Sequence, residues 1–153
     1  MHVIEQATNE NKPVVIQKIT DDDFKKITAR RYFFNWRKLS AFSDIYKLTQ
    51  INDDDILGLI ALVCFNAEQR IEIKLLAAVK ENIGSDKLFD RITGCLIAFA
   101  CKEALEKYEN PCVSLIPKTA LKMHYIKRYG MYDAGTQIYL EDMSLLTMIR
   151  DYL

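Results

Sequence analysis

Ile71-Glu72-Ile73-Lys74-Leu75-Leu76-Ala77-Ala78-Val79 begins with alternating apolar and charged residues and ends as an apolar run. The alternation predicts a strand with one face in a core, and the apolar end predicts burial on both faces. A polar connection, Val79-Lys80-Glu81-Asn82-Ile83-Gly84-Ser85-Asp86-Lys87, follows. Gly94, Ile97, Ala98, Cys101, Ala104, Leu105 and Tyr108 then recur at helical spacing, predicting a helix over residues 90–107. A strand that turns into a helix presents free backbone N–H groups at the helix start, where the dipole favours anions. Residues 71–107 therefore read as a buried strand, a glycine-containing loop and a helix.

The pattern extends in both directions. Upstream, residues 56–65 form a continuous apolar strand and residues 44–50 an alternating one, with Asn52-Asp53-Asp54-Asp55 as the turn between them. Together with 71–79 they predict an antiparallel meander. Val14-Val15-Ile16 starts a first short strand after a polar lead-in, residues 1–13, expected to be flexible. Thr20 followed by Asp21-Asp22-Asp23 signals a helix start, and Phe24, Ile27, Arg31 and Phe34 continue at helical spacing. One helix is expected to run into Phe33-Phe34-Asn35-Trp36, a cluster that either packs onto the sheet or lines a cleft.

Downstream, Asn110-Pro111 breaks the helix, and residues 112–116 are a short buried strand stopped by Pro117. A helix over 118–129 ends at Gly130, a strand covers 136–140, and an apolar-faced helix covers 144–153. The order is β-α-β-β-β-α-β-α-β-α, a single α/β domain over residues 1–153 with three layers and a mixed, mostly antiparallel sheet. The apolar face of the last helix suits a homodimer interface as readily as a core.

Composition narrows the function. The 153 residues are 50% apolar and 27% charged, the balance of an ordinary globular domain. Lysine plus arginine and aspartate plus glutamate number 21 each, so no net field recruits DNA or an anionic membrane. No apolar run approaches the roughly 20 residues that span a bilayer, and the start lacks a secretory layout. Cys64, Cys95, Cys101 and Cys112 lie in apolar segments without CxxC spacing, which points to reduced, structural thiols and a cytoplasmic location. His2 and His124 complete no ligand cluster, so no metal is expected.

Three places carry candidate chemistry. In the loop, Gly84 and Gly94 would let backbone approach a phosphate, and Lys87 and Arg91 would add charge; a surface loop with a packing glycine is the alternative. Glu72 is a candidate general base if its side chain enters a cleft, and a solvent-facing carboxylate otherwise. Tyr125, in Leu121-Lys122-Met123-His124-Tyr125-Ile126-Lys127-Arg128-Tyr129-Gly130, can donate a proton to a leaving group or be a buried tyrosine with one satisfied hydroxyl.

In this order the pieces resemble the GNAT superfamily of acyl-CoA-dependent N-acetyltransferases over nearly the whole chain, residues 14–140. Residues 71–79 with Gly94-Cys95-Leu96-Ile97-Ala98-Phe99-Ala100 look like the family's fourth strand, pyrophosphate loop and following helix. His124-Tyr125-Ile126-Lys127-Arg128-Tyr129-Gly130-Met131 is similar to its Tyr-x-x-x-Gly-Phe ending, with one residue inserted. The resemblance implies acetyl-CoA in a V-shaped opening between two splayed strands, and direct attack by a small-molecule or protein amine in a ternary complex. Glu72 falls where the family often has its base, and Tyr125 where it has the tyrosine that protonates the CoA thiolate. Backbone groups of Ala77 and Val79 would meet pantetheine. Gly84, Ser85 and Lys87, with Arg91, Thr93 and Gly94, would meet the pyrophosphate, and Lys118 stands where an asparagine is common. Leu121 replaces a small alanine.

The family's loop pattern is not kept: counting back from Gly94, Phe89 and Ile92 occupy the positions of its first polar residue and first glycine. A longer, remodelled loop would then hold the phosphates. The other readings are a non-catalytic domain binding CoA or a protein, and a toxin-type member acting on aminoacyl-tRNA, which the neutral charge opposes. In this fold the acceptor is chosen by segments that correspond to residues 30–43 and 131–136.

Overall fold

The computed structural model describes residues 1–153. The lead-in is not a flexible tail. It forms β1 (His2–Glu5), a hairpin partner of β2 (Glu10–Lys18), with His2 opposite Pro13 and Glu5 opposite Glu10. Val3 is fully buried and anchors this strand, while Asn9 takes the positive φ that the turn requires. A four-residue strand with polar ends gives too short an alternation to be read from sequence.

The helix expected after Thr20 is also corrected. A 3-10 turn, Asp21–Lys25, gives way to two one-turn helices, α1 (Ala29–Tyr32) and α2 (Trp36–Leu39). Thr28 Oγ1 accepts from the Arg31 amide at 3.3 Å and Asn35 Oδ1 from the Lys38 amide at 3.2 Å, so each side chain starts a new helix. Phe33, at φ +73°, ends the first of them.

β3 (Asp44–Gln50) and β4 (Ile56–Phe65) keep the expected bounds, and β5 (Arg70–Ala78) follows a short turn. Two-residue β6 (Phe89–Asp90) precedes α3 (Ile92–Lys107), which leads to β7 (Cys112–Leu115). α4 (Lys122–Tyr129), capped by Gly130 at φ +68°, leads into the hairpin of β8 (Tyr132–Ala134) and β9 (Gln137–Glu141), and α5 (Asp142–Tyr152) closes the chain.

One sheet joins all the strands in the order β6-β1-β2-β3-β4-β5-β7-β9-β8. Every pairing is antiparallel except β5 with β7, giving the mixed, mostly antiparallel sheet expected. On one face α3 and α5 cover Ile60, Leu62, Ile71, Ile73 and Val113. On the other, Tyr32 and Trp36 pack on Ile45, Leu59, Ala61 and Ala77. The Tyr32 hydroxyl donates to the Ile56 carbonyl at 2.7 Å, and Trp36 Nε1 donates to the Tyr32 carbonyl at 3.0 Å. Leu145 and Met148 of α5 are buried in the chain's own core. No helix is long and apolar enough to cross a membrane.

Gly94 has a packing role. A Cβ there would lie 2.1 Å from Tyr152 Cε1, so the missing side chain lets the α5 tyrosine lie against α3. Replacing a helical glycine by alanine ordinarily gains about 0.8–1 kcal/mol, whereas forcing a carbon into a filled site costs about 1–3 kcal/mol. Gly94→Ala should therefore lower stability in the native chain and raise it in a Tyr152→Ala background. Chemical denaturation of the four proteins of this cycle measures that change of sign, and equal effects in both backgrounds would contradict the packing role.

Candidate functional site

The site originates in a β-bulge. Ala61 of β4 faces Leu75 and Leu62 faces Ile73, which leaves Lys74 with no partner. The inserted residue kinks β5 and reverses its facing order: Ile71 and Ile73 point to the α3 face before the bulge, Leu76 and Ala78 after it. The parallel pairing of β5 with β7 ends at the same level, Ile73 opposite Leu115. Beyond it the strands diverge, and Pro117, which has no N–H to offer, follows β7.

A cavity of about 860 Å³ fills the divergence. Residues 73–78 form one wall and residues 115–118 the other, with Tyr125, Arg128 and Tyr129 of α4 alongside. Phe33 and Phe34 line the cavity, and Arg91, Ile92 and Thr93 bring the start of α3 to it. The aromatic cluster thus divides: Tyr32 and Trp36 pack on the sheet, while Phe33 and Phe34 face the cavity.

Of the residues singled out from sequence, Ala77, Gly84, Lys87, Arg91, Thr93, Lys118 and Tyr125 line this cavity. Glu72, Val79, Ser85 and Gly94 are not among its lining residues. The Val79 amide donates to the Leu57 carbonyl at 2.9 Å, so by strand alternation Ala77 and Leu75 also turn their backbone groups toward β4. Leu76 and Ala78 point theirs into the opening. Sequence reasoning put the free edge one residue out of step because the bulge is invisible in an unbroken apolar run. Ser85 is exposed, and Gly94 is covered by Tyr152. Glu72 is buried at 5% exposure, with Lys74 Nζ 3.2 Å from its Oε2 and Arg70 Nη1 3.7 Å from its Oε1.

The loop between β5 and α3 is organised by Asn82, which sequence reasoning passed over. Its Nδ2 donates to the Phe89 carbonyl at 2.9 Å, and its Oδ1 accepts the Phe89 amide at 2.7 Å. The amide side chain thereby acts as a strand partner for Phe89 while β6 pairs with β1. Gly84 supplies a φ of +86° in the intervening turn.

At the α3 start, Lys87 Nζ lies 2.8 Å from Asp90 Oδ1 and Arg128 Nη2 3.9 Å from Asp90 Oδ2. The Lys87 hydrogen bond, the Arg91 amide and the charges of Lys87 and Arg128 hold the Asp90 carboxyl below its ordinary range despite partial burial. Arg91 donates from Nε to the His2 carbonyl at 3.2 Å and from Nη2 to the Asp151 carbonyl at 2.8 Å, and stacks over Tyr152. Its guanidinium is therefore engaged in clamping both chain ends to α3. Burial raises the Tyr125 and Tyr129 hydroxyls above the usual tyrosine range, so both stay protonated at neutral pH.

No family model and no curated protein matches the sequence. Solved structures do match its fold. Mutant forms of the spermidine/spermine N-acetyltransferase SpeG from Vibrio cholerae align over 88% of this chain and 96% of theirs, with a TM-score of 0.64 at 12% identity. A GNAT family acetyltransferase from Elizabethkingia anophelis with acetyl-CoA bound aligns over 84% of this chain and 98% of its own, with a TM-score of 0.59 at 13% identity. The KacTA protein, solved in a complex with DNA, aligns over 90% and 99% with a TM-score of 0.61 at 15% identity.

Asn82→Ala would break both hydrogen bonds to Phe89, at a cost of about 1–3 kcal/mol. The expected signature is local: amide exchange over residues 83–90 should accelerate while β3 and β4 stay protected. Unchanged exchange in that loop would show that Asn82 does not hold it.

Proposed function

With the GNAT fold as premise, we propose that this domain transfers an acetyl group from acetyl-CoA to a primary amine by direct attack in a ternary complex. The observation that carries the reading is the opening between β5 and β7. It joins, in one cavity, an unpaired strand edge, an exposed helix start and a protonated tyrosine.

Each part has a chemical use. Backbone groups of Leu76 and Ala78 would bond the pantetheine arm as an added strand. The orphan amides of Ile92 and Thr93 at the start of α3 would receive the pyrophosphate, with the dipole and Lys87 and Arg128 adding positive field. The Tyr125 hydroxyl, kept protonated by burial, would give its proton to the departing thiolate. Glu72 is the candidate base, and its route to the cavity passes Lys74. Phe33, Phe34 and Lys118 would border the acceptor.

Neutral net charge supports a small-molecule or protein amine over nucleic acid as acceptor. The four free thiols support a reducing, cytoplasmic setting. A second reading, a CoA- or partner-binding domain without turnover, is favoured by one observation: Glu72 stands off the cavity wall.

Isothermal titration with acetyl-CoA should give saturable binding below millimolar concentration; no heat at millimolar ligand would remove both CoA-dependent readings and leave only partner binding. Tyr125→Phe should then lower kcat with an amine acceptor by about 100-fold, the scale of a lost general acid, with little change in acetyl-CoA affinity. Unchanged turnover would contradict that role.

A further inference from the structure

Glu72 is a buried carboxylate whose two oxygens meet different cations. Oε1 faces Arg70, which is itself caged: its Nη1 donates to Ser114 Oγ at 2.7 Å, and its Nη2 lies 2.6 Å from Glu68 Oε2. Arg70 has a side-chain exposure of 17%. Oε2 is sealed from solvent and accepts no hydrogen bond of good geometry, although Lys74 Nζ stands 3.2 Å away. Lys74 differs from Arg70 in every relevant respect. It sits at the bulge, lines the cavity and has a side-chain exposure of 41%.

A buried carboxylate needs one compensating cation, and removing its only partner is what destabilises. Arg70, which also binds Glu68, stands 3.7 Å from Oε1, so Lys74 is not the only cation beside this carboxylate. The result is a primary amine on the wall of the proposed acyl-donor cavity, its nitrogen 3.2 Å from a buried carboxylate oxygen.

Resting on the acetyl-CoA reading above, we propose that Lys74 is a self-acetylation site. Glu72 takes one proton from the Lys74 ammonium, and the freed nitrogen lone pair attacks the thioester carbonyl. The C–N bond forms, the C–S bond breaks, and the electron pair leaves on sulfur, which takes the Tyr125 proton. The second nitrogen proton returns to Tyr125 through solvent, and Glu72 releases its proton to water. The products are the neutral Nζ-acetyl amide and the CoA thiol. Acetylation removes the Lys74 charge beside Glu72 Oε2 and leaves Arg70, 3.7 Å from Oε1, as the nearest cation.

The test uses the full chain and acetyl-CoA with no added amine, read by intact mass and peptide mapping. One acetyl group should accumulate on Lys74 faster than on Lys25, whose exposed amine reports uncatalysed acetylation. Glu72→Gln should slow the Lys74 reaction by roughly 100-fold; should that variant unfold by circular dichroism, Tyr125→Phe serves, with slowing on the same scale. Lys74→Arg should abolish the addition while calorimetric CoA binding persists. CoA binding without acetylation of Lys74 overturns this proposal alone, as does labelling no faster than at Lys25. Absence of CoA binding overturns the donor reading together with it.

Discussion

The single unpaired residue in β5 governs the rest of the molecule. Ahead of Lys74 the strand is an ordinary sheet member, paired on both sides, with Glu72 opposite Val63 and Ser114. Past it the strand keeps its β4 partner and loses β7, so one row of backbone groups faces an opening. Unpaired backbone polar groups are costly when buried. Such an edge survives inside a domain only where solvent or a ligand can reach it. The cavity and the exposed edge are two descriptions of one event, a strand given one residue more than its neighbour.

That opening would weaken the fold if the elements around it were loosely held. The α3 start is secured from both ends of the chain. Arg91 bonds the His2 carbonyl on one side and the Asp151 carbonyl on the other, and Tyr152 lies on Gly94. The N-terminal hairpin extends the same support to the loop, since β6 pairs with β1 and Asn82 pairs with Phe89. A long connection between β5 and α3 is thereby made into a fixed wall.

What could be read from sequence follows from the physics of each signal. β3 and β4 were legible to the residue because a two-sided apolar run and a clean alternation admit one interpretation. The bulge was not, because residues 75–79 are all apolar and a change of facing order leaves no trace there. The helix after Thr20 was overextended because apolar spacing continued through Thr28 and Asn35, whose capping side chains restart the backbone. Gly94 was read as a glycine for phosphate approach, yet the close approach it permits is to a tyrosine distant in sequence, a tertiary fact that no local pattern holds. Tyr125 and Lys87 do line the cavity, because their placement follows from position on their own elements and not from a distant partner. Asn82 was missed because its role exists only once Phe89 is beside it.

The zero net charge of the chain conceals a polarised cavity. Lys74, Lys87, Arg91, Lys118 and Arg128 line it, against one carboxylate, Asp90. Several of these cations are already engaged: Lys87 and Arg128 by Asp90, Arg91 by two carbonyls, Lys74 by Glu72. An arriving anion would share them rather than find them free, and its affinity would rest on the difference between its contacts and those of Asp90. Backbone amides carry no such competition, because the first N–H groups of α3 have no partner within the helix. Anion binding would then fall to a helix start held rigid by the chain's two ends and not to loose lysines and arginines. Side-chain charge then serves to orient and attract, while the amides, which cannot rearrange, define where a phosphate would sit.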